Sequence, residues 1–171
     1  MNDLGRAFIL SLTVVTICFG AIAAETSPHD VAVKFYSVVV REHPDGLPDP
    51  RVMRLLRPYL SQSLRSMFSR AKKQQAEHLR LHPDEKPPWV DGCLFSCSFD
   101  GLMRFRVGKI KVTGRFAYVA VEQSLEPDDS TWTDTLVLAR ENKRWRIWDV
   151  RMGCTWPFRM GPTLRKMLSD N

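Results

Sequence analysis

The spacing of apolar positions changes partway along the chain, and that change divides it. In the first half the apolar residues recur at helical intervals. Val31, Phe35, Val38 and Val39 fall at i, i+4, i+7 and i+8, one face of a helix. Ser27, Pro28 and Asp30 open it: Ser27 caps, Pro28 fits the first helical position, and Asp30 stands where a capping-box acid stands. The stretch "HPDGLPDP" ends it as a loop. Asp49-Pro50 starts a second helix by the same logic, with Val52, Met53, Leu55 and Leu56, stopping near Pro58. Ser61 starts a third, with a stripe of Leu60, Leu64, Met67, Phe68, Ala71 and Leu79. "HPDEKPPWVDG" is a proline-rich connector.

Beyond it the period becomes two. "LMRFRVGKIKV", "RFAYVAVEQSL", "TWTDTLVLAR" and "RWRIWDVRM" all alternate, as half-buried strands do. "EPDDS" reads as a turn, and Asn142-Lys143 as a two-residue hairpin turn, since Asn tolerates positive φ. Gly161-Pro162-Thr163 opens a short last helix bearing Leu164, Met167 and Leu168. Three helices followed by at least four antiparallel strands predict an α+β fold, with the helices segregated onto one side of a curved sheet.

The first residues read as an address rather than as structure. Arg6 precedes "AFILSLTVVTICFGAIA", and Ala21-Ile22-Ala23 offers small residues for cleavage. We therefore expect a signal peptide over 1–23, a single domain over 24–171, and a periplasmic or secreted protein with no stable membrane span after cleavage. A retained N-terminal anchor is the alternative. Three cysteines lie beyond the cleavage point, Cys93, Cys97 and Cys154. An oxidising compartment predicts one disulfide and one spare thiol. Cys97–Cys154 is the favoured pair, because it joins the chain just before the first long strand to the chain just after the last. Cys93–Cys97 is the alternative. Their spacing suits neither a zinc site nor a Cys-x-x-Cys oxidoreductase.

Charge is concentrated in one place. The chain carries a net +6. Residues 51–80 hold Arg51, Arg54, Arg57, Arg65, Arg70, Lys72, Lys73 and Arg80 against Glu77 alone, a net of +7, so the remainder sums to −1. Such a segment either solvates its helices or attracts an acidic protein or an anionic envelope component. Nucleic acid is not expected as a partner of an exported protein.

The candidate chemistry lies in the last hairpin. With the turn at Asn142-Lys143, Arg140 faces Trp145, Leu138 faces Ile147, Leu136 faces Asp149 and Asp134 faces Arg151. Trp132, Asp134, Leu136, Trp145, Ile147, Asp149 and Arg151 then share a face. This is either the polar end of a pocket for a small apolar ligand, where a carboxylate could act as a base, or a cross-strand ion pair at the rim of the core. We favour the ion pair, because such networks perturb carboxylates without catalysis. The four histidines have no partner at nucleophile or metal spacing, and no nucleophile elbow, phosphate loop or His-Glu-x-x-His occurs. No cofactor and no metal are expected. Trp148 and Trp156 are the tryptophans expected to be exposed.

The three helices, "DGCLFSCSFDG" ahead of the first strand, and the closing hairpin "WTDTLVLARENKRWRIWDV" resemble the nuclear-transport-factor-2-like superfamily, and within it exported bacterial domains. The resemblance rests on Trp145, Ile147 and Asp149 as a Trp-x-Ile-x-Asp strand after a Glu-plus-turn hairpin. It implies a cone, a strongly bent sheet wrapped on long helices around an internal cavity. Some relatives are isomerases or dehydratases with cavity carboxylates or histidines. Others are binding or dimerisation modules, and some serve as immunity proteins against secreted toxins. The resulting expectation is an exported, non-catalytic binding domain, monomeric or homodimeric, of immunity or inhibitor type. The alternative is a small-molecule pocket or an isomerase-like site.

Overall fold

The computed structural model describes residues 26–126, 131–154 and 161–170. The expected signal peptide therefore lies outside the described residues, as does Trp156. Helices α1 (Pro28–Glu42), α2 (Pro50–Leu56) and α3 (Gln62–Leu81) come first. Strands β1 (Arg104–Thr113), β2 (Phe116–Ser124), β3 (Trp132–Glu141) and β4 (Arg144–Arg151) follow, then the short α4 (Leu164–Met167). The strands form one antiparallel sheet in the order β1-β2-β3-β4.

The helix starts are set by side chains. Ser27 and Asp30 form a reciprocal capping box on α1. The Asp49 carboxylate accepts the Val52 N–H at 2.7 Å, and the Ser61 hydroxyl accepts the Leu64 N–H at 3.2 Å. Each satisfies an N–H that the helix itself leaves unpaired. The β3–β4 turn lies at Asn142 and Lys143, whose φ of 49° and 62° are the left-handed values a tight hairpin requires.

Helix α1 buries Val31, Phe35, Tyr36, Val38 and Val39. Helix α3 buries Leu64, Met67, Phe68 and Ala71, but its apolar stripe does not reach Leu79, which is 46% exposed. The buried position in that turn belongs to Gln75, whose Nε2 donates to the carbonyls of Pro88 and Trp89 at 2.8 and 3.3 Å. The end of α3 runs past the core, so Leu79 has nothing to pack on.

Leu60 precedes α3 and belongs to a connector that docks along β4. The Ser61 N–H donates to the Ile147 carbonyl at 2.8 Å, and the Ile147 N–H donates to the Tyr59 carbonyl at 2.7 Å. That edge of the sheet is thereby covered. The other edge, β1, carries Arg104, Arg106, Lys109 and Lys111, the charged residues that discourage edge-to-edge pairing.

The sheet is open and not strongly curled, which corrects the expected cone. The reason lies in the segment 93–98, an irregular stretch in which every residue is buried. Phe95 packs edge-on against Phe35 with centroids 5.4 Å apart, and lies 5.8 Å from Phe68. The loop thus occupies the space between helices and sheet where the cone would hold a cavity. Its polar groups find partners: Tyr36 donates to the Phe95 carbonyl at 3.3 Å, and Ser96 donates to Gln123 at 2.8 Å. Buried irregular backbone is tolerable only on those terms.

Candidate functional site

The final hairpin keeps the expected register only near its turn. Arg140 pairs with Trp145 and Leu138 with Ile147. Between Val137 and Leu138 the register shifts by one residue. Beyond it Val137 pairs with Asp149, Leu136 with Val150 and Thr135 with Arg151. The expected pairs Leu136–Asp149 and Asp134–Arg151 therefore do not form. An extra residue in β4 turns every later side chain to the opposite face. Val150 joins the core beside Leu136, and Asp149 moves to the outer face. Arg151 is exposed, its guanidinium 5.3 Å from the centroid of the Tyr118 ring.

The two carboxylates serve the backbone instead of a guanidinium. Asp134 is fully buried. One of its oxygens accepts the Cys97 N–H at 2.9 Å, and the other accepts the Gly153 N–H at 2.8 Å. Burial pushes its pKa up, while the N–H groups of Gly153 and Cys97 pull it back. Asp149 accepts the N–H of Val150 at 2.9 Å and that of Arg165 at 3.0 Å. Burial raises its pKa too, against the pull of those same N–H groups. Asp149 thereby holds α4 to the sheet, and the Arg165 guanidinium covers the half-buried Trp148 ring at 4.3 Å. Trp132, Leu136, Leu138, Trp145 and Ile147 are all buried in the core. Gly153 and Arg165 escaped sequence reasoning, because their roles arise from backbone N–H groups that carry no signal of residue type.

The disulfide joins Cys97 to Cys154, with Cα atoms 6.0 Å apart and a sequence separation of 57. Cys93 is free and buried, and burial raises its thiol pKa to about 12, which favours the neutral thiol. Among the described residues no group of three or more His, Cys, Asp or Glu is placed to hold a metal ion. No helix among them is long and apolar enough to cross a membrane.

A well-formed cleft lies elsewhere, between α2 and α3, with a volume of about 470 Å³. Leu47, Pro48, Met53 and Phe68 contribute its apolar lining, and Arg57, Arg65, Lys72 and Lys73 its charge. The basic segment of the sequence is divided by the fold. Arg51 is held by Glu42 at 2.6 Å, while Arg54 and Arg70 are exposed away from the cleft. No carboxylate lines the cleft, and none of its four cations is in an ion pair among the described residues. The positive field continues onto β4. The pKa of Arg146 is lowered first by burial and then by the like charges of Arg144 and Arg65.

No family model matches the chain, and no curated protein matches it. Among solved structures it is similar to a chain of the type VI native effector–immunity complex Tae3–Tai3 from Ralstonia pickettii. The TM-score is 0.50 at 20% identity, over 79% of this chain and all of that one. At that identity the likeness speaks for the fold, an α+β arrangement with a four-stranded antiparallel sheet.

Proposed function

We propose that the chain is an exported, non-catalytic interaction protein of immunity or inhibitor type, which engages another protein through its helical face. The observation that carries this reading is the α2–α3 cleft, a concavity where apolar surface and cations outside any ion pair among the described residues coincide. Interfaces gain affinity from a desolvated apolar centre and specificity from complementary charge around it. The solved neighbour, itself taken from an effector–immunity complex, supports the same class. The Cys97–Cys154 bridge supports an oxidising compartment, reached by cleavage of a signal peptide over 1–23 to leave one domain over 24–171. The order of helices then antiparallel sheet also supports kinship with the nuclear-transport-factor-2-like proteins.

Asp134 and Asp149 support the non-catalytic half of the reading, since their oxygens are engaged by backbone N–H groups inside the fold. The test is protection. Secreted toxic effectors encoded beside this chain's own gene are directed to the periplasm of a test host, with and without the full chain. Restored growth, together with co-elution of the purified pair, is the expected result. Toxicity unaffected by the chain for every such effector, with no co-elution, overturns the reading.

A further inference from the structure

We propose that the α2–α3 groove is the docking site for an acidic protein segment that carries a large apolar side chain at its centre. This rests on the reading of the chain as a protein-binding module and names what its site recognises.

The geometry follows from helical spacing. On α3, Arg65, Phe68, Lys72 and Ala76 stand at i, i+3, i+7 and i+11, one stripe along a single face. Met53 on α2 and Arg57, the residue that caps its C-terminus, stand one turn apart, and both line the same groove. Each wall therefore presents apolar surface flanked by a cation. The volume of about 470 Å³ lies within the range of sites that enclose most of a drug-sized group.

The occupant follows from that lining. A purely apolar segment would leave four cations beside a desolvated surface with nothing to pair them. A purely acidic polymer would leave the floor of Met53 and Phe68 uncovered. A segment with an apolar anchor between Glu or Asp residues satisfies both, since charge-assisted bonds form at the rim as the anchor leaves water. A flat anionic bilayer meets the rim lysines without reaching a recessed floor. The groove shape therefore favours a protein segment over a lipid surface.

The experiment uses the full chain with isotopically labelled backbone, titrated with short synthetic peptides bearing a central Trp flanked by Glu. Control peptides carry Gly for Trp, or Lys for Glu. Chemical-shift changes centred on Met53, Phe68 and Ala76 are expected with the first peptide, weakened at least about tenfold by a rise in salt from dilute buffer to above physiological strength. The exposed pair Lys72→Glu/Lys73→Glu should keep the native spectrum and lose at least about tenfold in affinity for the acidic peptide. Equal affinity in that variant, shifts that map to another face, or groove shifts given only by phosphatidylglycerol vesicles would each overturn the assignment. If the chain binds its effector and Lys72→Glu/Lys73→Glu leaves that affinity unchanged, the groove assignment falls while the protein-binding reading stands. If the peptide seats in the groove and no effector partner exists, the groove assignment stands and the immunity reading falls.

Discussion

Asp134 accepts the backbone N–H of Cys97 at 2.9 Å, and through its second oxygen the N–H of Gly153 at 2.8 Å. One buried carboxylate thus ties together the same two stretches of chain that the Cys97–Cys154 disulfide joins covalently. The two hydrogen bonds fix the Cys97 backbone and that of Gly153, the neighbour of Cys154, to one side chain.

Replacing Asp134 by Asn should expose that dependence. An amide has one oxygen, so one of the two N–H groups would face an NH₂ donor and lose its acceptor. A buried donor left unsatisfied costs about 1–3 kcal/mol. Urea denaturation of the oxidised protein should show a loss of that size, and reoxidation of the reduced variant should be slower than that of the natural chain. Unchanged stability and unchanged reoxidation would mean that the carboxylate does not organise the bridge.

The pH dependence of stability should carry the mark of the two raised carboxylates. A carboxyl whose folded pKa lies above its ordinary value binds its proton more tightly in the native state. Its contribution is therefore fully present below the ordinary value of 3.8 and is lost as pH rises through the folded pKa. The exposed Asp30, Asp49 and Glu77 and the partly buried Glu42 are held below their usual range, chiefly by hydrogen bonds from Ser27, Val52, Arg80 and Arg41 respectively. Their contributions run the other way and are lost as pH falls. The clean measurement is a difference: the melting temperature of the natural chain minus that of Asp149→Asn, followed from below pH 3.8 up to neutral pH. It should decline as pH rises, and a flat or rising difference would contradict the raised pKa of Asp149.

Gly153 should tolerate no side chain. A Cβ there would run into the backbone carbonyl oxygen of Thr133. Neither partner can rotate away, so the strand end would separate from β3 and take the Gly153 N–H off Asp134. Gly153→Ala is expected to cost at least about 1–3 kcal/mol, the usual penalty of forcing extra volume into a packed site. Gly114→Ala is the comparison. Its φ is +57° with nothing within 4 Å of an added Cβ, so only the left-handed conformation is penalised, by roughly 1–2 kcal/mol. Thermal unfolding of the two variants should rank them in that order.

Thiol chemistry should distinguish the three cysteines. In protein lacking the leader, native folded chain should take up no alkylating reagent at neutral pH, because Cys93 is buried with a pKa near 12 and the other two are bonded. Denaturation without reductant should release one reactive thiol, at Cys93. The double variant Cys97→Ala/Cys154→Ala should lose about 4 kcal/mol in the chain-entropy model for a loop closed over 57 residues. Two or three reactive thiols in the denatured, unreduced protein would contradict the bridge.

The elements of this chain are legible in its sequence because each rests on interactions between near neighbours. Ser27 with Asp30, Asp49 with Val52 and Ser61 with Leu64 set the helix starts across three residues. Asn142-Lys143 supplies the turn, and alternation along β2 separates its fully buried positions from its partly exposed ones. The sequence favours a Cys97–Cys154 bridge, from one side of the sheet to the other, but Cys93 also precedes the sheet, and only the fold sets Cys97 and Cys154 6.0 Å apart at their Cα atoms. What tertiary structure decided is where neighbours in space differ from neighbours in sequence. One extra residue in β4 carries Asp149 away from Leu136 and separates Asp134 from Arg151, and alternation along a single strand contains no trace of how its partner is registered. Asp134 found its partners in the backbone N–H groups of Cys97 and Gly153, which any residue type supplies and no composition reveals. The eight Arg and Lys residues of 51–80 look alike in sequence. Only the packing of the two helices placed Arg57, Arg65, Lys72 and Lys73 around one apolar groove and gave Arg51 to Glu42.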